Sequence, residues 1–183
     1  MKNETGTLWL VVGPSGAGKD SLLEGAKQRL KDSPVHVFVR RDITRPAEVG
    51  GEDHTTVSVD HFEAKRSAGA YALSWGAHGL FYGIPSSIGE DLARGAQVIV
   101  NVSRAVIEEA RACYADVRVI DIKVPRDVLE ARLRARGRES EEDILKRLER
   151  AEAFALEGPG VIRFSNDRPL AESVAAFTAL FTR

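Results

Sequence analysis

The chain opens on a polar stretch, Met1 to Gly6, and then runs through an unbroken apolar segment, Leu8 to Val12, before meeting Gly13. A continuous apolar run of that length marks a strand buried on both faces, as in parallel sheets, rather than one with a wet side. The period then changes: Leu22, Leu23, Ala26 and Leu30 line one side of a helix, and Pro34 marks its end. Apolar runs at Val35 to Val39, Val98 to Val102 and Val117 to Val124 predict further strands, the last stopped by Pro125. Helical spacing recurs between and after them, at Ile107, Ala110 and Tyr114 and again at Val128, Leu129, Arg132 and Leu133. Val161 to Phe164 predicts a last strand and Leu170 to Phe181 a closing helix. Strands alternating with helices predict a three-layer α/β domain around a parallel sheet.

Two stretches break this rhythm. Arg40 to Gly83 is rich in Gly, His, Thr and aromatic residues, with β-like pieces at Tyr71 to Trp75 and Leu80 to Tyr82. It reads as an inserted substrate-binding subdomain spanning about residues 40–90. Arg132 to Arg150 is dense in arginine around Gly137 and reads as a lid. The expected organisation is a single domain over residues 1–183, with its core at 5–39, 97–131 and 151–183.

Composition narrows the class. With 183 residues, 43% hydrophobic and 29% charged, and a net charge of -1, the chain suits one globular domain without a broadly cationic surface. Any basic site must be local, and neither nucleic acid nor membrane is an expected partner. The single cysteine, Cys113, reads as a buried small hydrophobe. The early apolar run is too short for a signal core or a membrane span, so a soluble, cytoplasmic protein is expected.

The strongest chemical signal is Gly13-Pro14-Ser15-Gly16-Ala17-Gly18-Lys19-Asp20. It matches G-x-x-x-x-G-K and lies between a predicted strand and a predicted helix, the context in which such a loop cradles phosphates. Glycines let successive backbone N–H groups turn toward phosphate oxygens, the helix start adds partial positive charge, and Lys19 reaches the outer phosphates. ATP is the expected ligand. At the last position Asp20 stands where Ser or Thr usually meets Mg²⁺; its carboxylate is also a hard oxygen ligand, with Ser21 one step along as a substitute. The competing reading is that Asp20 merely favours the first helical turn.

Beyond the loop come Ile43-Thr44-Arg45-Pro46, Gly51-Glu52-Asp53-His54, Phe81-Tyr82-Gly83 and the arginine-rich stretch. With them the chain resembles the guanylate kinase-like P-loop kinases over nearly its whole length. The resemblance implies a P-loop NTPase fold in which Arg45 and Tyr82 hold an acceptor phosphate. It also implies that His54 stands where the family has a phosphate-contacting Tyr. The family's two guanine-reading acids are missing, replaced in the stretches Ala72 to Trp75 and Val100 to Arg104. Guanine's N–H donors need acceptors, and each one left unmet costs roughly 1–3 kcal/mol, so GMP is not the expected acceptor.

The altered set resembles a branch of the family whose acceptor is a sugar bisphosphate. That likeness implies transfer of the ATP γ-phosphoryl group to ribose 1,5-bisphosphate, giving 5-phosphoribosyl 1-diphosphate (PRPP), a step in phosphonate breakdown. A base-free acceptor asks for cations and short polar side chains. Arg41, Arg45, His54 and Ser74 are candidates, as are His78, Asn101, Ser103 and Arg104. Of these, His78 reads equally well as a turn residue and Asn101 as a strand-end polar group. Arg132, Arg136 and Arg147 are the lid cations expected to steady the migrating phosphoryl group, beside Lys19. Some of the lid arginines are expected to pair with Glu139, Glu141, Glu142 and Asp143, a reading open for any one of them. Two alternatives stay open: a guanylate or other nucleoside monophosphate kinase with a remodelled pocket, and an inactive interaction module of the same fold.

Overall fold

A computed structural model describes residues 6–46, 53–137, 139–152 and 156–182. Gly51 and Glu52, named above, lie outside the described residues. The fold is α/β, with a mostly parallel central sheet of strand order β2-β7-β1-β8-β9 and a second sheet of order β4-β3-β6-β5. The chain divides into two compact units, residues 1–10 with 33–117, and residues 11–32 with 118–183; β1 (Thr7–Val12) supplies residues to both.

In the first unit, β2 (His36–Phe38) pairs in parallel with β7 (Gln97–Asn101). β2 is shorter than its apolar run predicts, with Val35 exposed, and β7 keeps the predicted length but starts one residue earlier, so that Val102 lies outside it. The second sheet is built from β3 (Asp42–Ile43), β4 (Thr55–Thr56), β5 (Tyr71–Ala77) and β6 (Leu80–Pro85). Its central hairpin turns on His78 and Gly79 at φ of 53° and 74°, the paired positive φ of a two-residue type I′ turn. That turn fixes the register, with Trp75 opposite Tyr82 and Ser74 opposite Gly83.

Three helical pieces in this unit escaped the periodicity reading: α2 (Val59–Ser67), α3 (Ile88–Ala93) and the 3₁₀ turn Arg104–Val106. Each is short, and α2 buries only Phe62, too little to leave a helical stripe. α4 (Ile107–Cys113) ends one residue before Tyr114. Cys113, expected to be buried, is exposed: it is the last residue of its helix, beyond the buried pair Ile107 and Ala110.

In the second unit, α1 (Lys19–Arg29) follows β1 through the glycine-rich loop, and β8 (Val117–Lys123) pairs in parallel with β9 (Val161–Ser165). α7 (Leu170–Thr178) packs so closely on α1 that a β-carbon on Gly25 would lie 2.6 Å from Val174. Phe164, Phe177 and Phe181 meet edge to face behind it, a geometry worth about 0.5–1.5 kcal/mol per pair beyond area burial. The arginine-rich stretch forms two helices, α5 (Arg126–Arg136) and α6 (Glu141–Glu152), closed around Leu129, Leu133, Ile144 and Leu148. The first of them begins at Arg126 rather than Arg132, and Gly137 ends it in the left-handed conformation at φ 60°. No helix among the described residues is long and apolar enough to cross a membrane.

Candidate functional site

The glycine-rich loop shows why its sequence is restricted. Gly18 sits at φ 84°, where a β-carbon would lie 2.6 Å from the Asn166 amide nitrogen. Gly16, at φ 88°, lies against the lid hairpin, with Leu133 Cδ2 2.9 Å from where its β-carbon would be. Any side chain at either place would strain the backbone and collide as well. No side chain caps α1, whose start lies at the loop, the place where helix N–H groups bind phosphate. Lys19 Nζ donates to the carbonyls of Gly13 (2.8 Å) and Pro14 (3.0 Å).

Asn166, which the sequence reading missed, organises the surroundings. It is buried at the C-terminal end of β9, and its side-chain amide donates to Ala17 O at 2.7 Å. Its own carbonyl accepts from Arg132 Nη2 at 2.9 Å, and its N–H donates to Lys123 O at 2.8 Å. One residue therefore ties the loop, α5 and β8. The other arm of Arg132, Nη1, is buried without a hydrogen-bond partner, 4.0 Å from where a Gly18 β-carbon would sit. A buried cationic N–H left unpaired is costly, and beside a phosphate loop an anion is what would satisfy it.

A cleft of about 340 Å³ opens here, lined by Gly16, Gly18, Ser21, Arg132, Arg136 and Asn166, with Arg168 and Leu170 at its edge. Arg147 reaches the loop from α6: its Nη1 donates to Ser15 Oγ at 2.7 Å, and Nη2 pairs with Glu139 at 2.9 Å. Arg134 pairs with Glu130 and Glu141, and Lys146 with Glu142, so much of the lid's charge is spent on itself. Exposed ion pairs of this kind add little stability. Ser140 caps α6 through Asp143 and holds that carboxyl below its ordinary range.

For a metal, the donor set is the informative fact. Among the described residues no group of three or more His, Cys, Asp and Glu side chains could hold an ion. Asp20 and Ser21, however, are both exposed in the first turn of α1 beside the loop. One carboxylate and one hydroxyl fit Mg²⁺, which keeps its waters and takes substrate phosphates for the remaining ligands.

In the first unit the small sheet has two faces that differ. Asp42 pairs with Gly83 and Ile43 with Tyr82, and cross-strand partners share a face. On the Gly83 face, Asp42 accepts from Tyr71 Oη at 2.7 Å and pairs with Lys65, while Phe62 of α2 stacks on Tyr71 and Phe81. Burial, then the hydrogen bond to Asp42 and that carboxylate's charge, push the Tyr71 phenol up from its ordinary value. On the Tyr82 face, Trp75 stacks on Tyr82, and Arg41 packs against both rings. Arg41 is buried and donates to Asn101 O at 3.0 Å, where β7 ends.

Of the acceptor candidates, Arg41, Tyr82 and Asn101 are thus brought together. Ser74 is not: by its pairing with Gly83 it belongs to the face covered by α2. His78 is exposed at the hairpin tip. His54 is buried and bonds Arg45 O at 3.2 Å, fixing the backbone that carries Arg45. Ser103 caps the 3₁₀ turn by accepting from Ala105 N, and Arg104, half-buried, begins that turn.

A phosphate loop with an adjacent cationic cleft, on an α/β sheet, defines a P-loop nucleotide-binding protein of the kinase type. Comparison with known proteins narrows this. Residues 5–158 match the family model described as guanylate kinase. A ribose 1,5-bisphosphate phosphokinase of Chelativorans sp. (strain BNC1) is 43% identical over 94% of this chain and 83% of its own length. One from Desulfomicrobium baculatum is 43% identical over 93% and 91%. A bifunctional ribose 1,5-bisphosphokinase-thymidine phosphorylase of Roseobacter denitrificans is 45% identical over 96% of this chain, which spans 26% of that longer protein. Guanylate kinase from Anaplasma phagocytophilum has the same fold, with a TM-score of 0.65 at 21% identity over 100% of this chain and 87% of its own. The chain belongs to the guanylate kinase family, in the branch of its ribose 1,5-bisphosphate phosphokinase relatives.

Proposed function

We propose that this protein transfers the γ-phosphoryl group of ATP to the 1-phosphate of ribose 1,5-bisphosphate, giving PRPP and ADP, in phosphonate breakdown. The reading is carried by the phosphate loop with the unpartnered Arg132 Nη1 beside it, which calls for a polyphosphate. The choice of acceptor is supported by the names of relatives 43% identical over more than nine-tenths of the chain. It is supported too by the Arg41–Tyr82 face, whose cation and hydroxyl suit a phosphate.

In this reading residues 13–21 and the adjacent cleft take ATP, with residues 40–90 as the acceptor subdomain and 132–150 as the lid. The loop N–H groups and Lys19 hold the β- and γ-phosphates. Asp20, with Ser21, would hold Mg²⁺, which neutralises charge on the phosphates when bound. Arg132, Arg136 and Arg147 steady the three oxygens of the migrating group; Arg147 exchanges Ser15 and Glu139 for them. Arg41, Arg45 and Tyr82 hold the acceptor. An ionised oxygen of the 1-phosphate attacks the γ-phosphorus, and the bond to the β–γ bridging oxygen breaks. No proton moves, so no side-chain base is required. Catalysis is positioning and electrostatics.

The test follows phosphorus. Purified protein with Mg-ATP and ribose 1,5-bisphosphate is monitored by ³¹P NMR. Growth of a diphosphate attached to C1, matched by ADP, is the expected result; ADP release that is the same without acceptor contradicts the proposal.

A further inference from the structure

The ion pairs of the arginine-rich hairpin are of two kinds. Lys146 with Glu142 and Arg134 with Glu141 lie in the open, the Glu142 and Glu141 side chains being 77% and 59% exposed. Glu139 differs: its side chain is 15% exposed, and the arginine it holds also reaches the phosphate loop. Arg147 Nη2 pairs with Glu139 Oε1 at 2.9 Å, while Nη1 donates to the Ser15 hydroxyl at 2.7 Å. The second carboxylate oxygen, Oε2, is buried without a hydrogen-bond partner. Glu139 sits in the turn between Gly137, which ends α5, and Ser140, which caps α6. A carboxylate this well covered, with one oxygen unmet, depends on Arg147 to balance its charge.

We propose that Glu139 is a positioning residue acting through Arg147: it keeps this cation parked on Ser15 until a γ-phosphate claims it, and takes it back once the phosphoryl group has left. The inference rests on the role given to Arg147 above, as one of the cations that steady the migrating group. A terminal phosphate offers three oxygens and about two negative charges against the single charge of a carboxylate, so it can displace Glu139. In a phosphate loop the main chain wraps the α- and β-phosphates, and the γ-phosphate projects beyond them. ADP therefore leaves the pair of Glu139 and Arg147 intact. Separating that pair costs free energy, and the cost is subtracted from ATP binding alone. It is returned when the phosphoryl group departs with the acceptor: Arg147 falls back on Glu139, and the products meet a site with one cation fewer. Glu139 thus weakens the hold on substrate and speeds release of product.

The experiment compares the wild-type protein with Glu139→Gln, which keeps the shape and removes the charge, and Glu139→Asp, which keeps the charge. Calorimetry without acceptor measures binding of Mg-ADP and of the magnesium complex of adenylyl imidodiphosphate, a non-hydrolysable ATP analogue. Steady-state kinetics follow, and urea unfolding checks folding. Glu139→Gln should bind the analogue about fivefold more tightly, the factor expected for one lost ion pair, with ADP binding unchanged. In turnover its KM for ATP and its kcat should both fall, because product leaves more slowly, and Glu139→Asp should return all three values toward wild type. A folded Glu139→Gln protein with wild-type binding of both nucleotides overturns the inference. So does equal tightening of ADP and analogue, the mark of a carboxylate that merely repels phosphates, and so does a loss of analogue affinity, the mark of a damaged lid. The proposed function fails separately: wild-type protein that binds both nucleotides and yields no PRPP contradicts that function. In that event the ratio of analogue to ADP binding still decides the role of Glu139: a rise in Glu139→Gln supports it, and an unchanged ratio refutes it.

Discussion

The phosphate loop and the small sheet proposed to take the acceptor are built on different principles. Around the loop several bonds end on the main chain: Lys19 on Gly13 and Pro14, Asn166 on Ala17, Arg132 on Asn166, with Arg147 on the Ser15 hydroxyl as a side-chain exception. On the sheet the decisive contacts join side chains, Arg41 with Trp75 and Tyr82 on one face and Asp42 with Tyr71 and Lys65 on the other. A site made of backbone tolerates few residue types at its glycines and serves any nucleoside triphosphate. A site made of side chains can be respecified by replacing them. That contrast explains how one family model matches residues 5–158 while the residues proposed for the acceptor depart from the guanine-reading pattern.

Substitutions that strike one kind of site and spare the other put the contrast at risk. The largest effect should come from Lys19→Ala, which removes the loop's only side-chain cation: kcat should fall by about 10²–10³ or more, with acceptor binding by calorimetry unchanged. Asp20→Ala should raise the Mg²⁺ concentration needed for half-maximal rate by about tenfold, read from an Mg²⁺ titration at fixed ATP. An unchanged titration would leave Asp20 as a helix-start residue only.

Gly18→Ala and Gly69→Ala form an informative pair. Both positions have positive φ, at 84° and 71°, but a β-carbon at Gly69 meets nothing within 4 Å. Urea unfolding should show Gly69→Ala costing about 1 kcal/mol for its backbone alone, and Gly18→Ala clearly more, with ATP binding lost only in the latter.

The smallest effect concerns the back of the sheet. The Tyr71 phenol is held above its ordinary value, chiefly by burial and by its bond to Asp42. Above about pH 10 the unfolded phenol ionises while the native one keeps its proton, so the native state binds more protons and stability falls as pH rises. Wild-type stability should therefore fall more steeply than that of Tyr71→Phe between pH 9 and 11, as read by urea unfolding.

Sequence legibility followed the same divide. The buried strands, the loop and the helix behind it could be read because apolar runs and glycine spacing are local signals. Asn166 could not: a single Asn after a strand says nothing until β9 is seen beside β8, although its place at that strand's carboxyl end was a hint. The register of the β5–β6 hairpin was within reach. Ala77-His78-Gly79-Leu80 is a two-residue hairpin turn, and counting outward from it puts Trp75, not Ser74, opposite Tyr82. The same count puts Ser74 opposite Gly83. The helix α2 was missed because a helix burying one aromatic residue has no periodic stripe, and Arg147 could not be divided between Ser15 and Glu139 without coordinates.

The central claim is that the loop is generic and the acceptor face selects a base-free sugar bisphosphate. Internal competition tests it most directly: equal concentrations of ribose 1,5-bisphosphate and GMP are mixed with the protein and limiting Mg-ATP, and PRPP and GDP are quantified from the same tube. Their initial ratio equals the ratio of kcat/KM values. The account predicts PRPP in large excess, by a factor of about 10² or more, since guanine's donors would go unmet. GDP equal to or exceeding PRPP would contradict it.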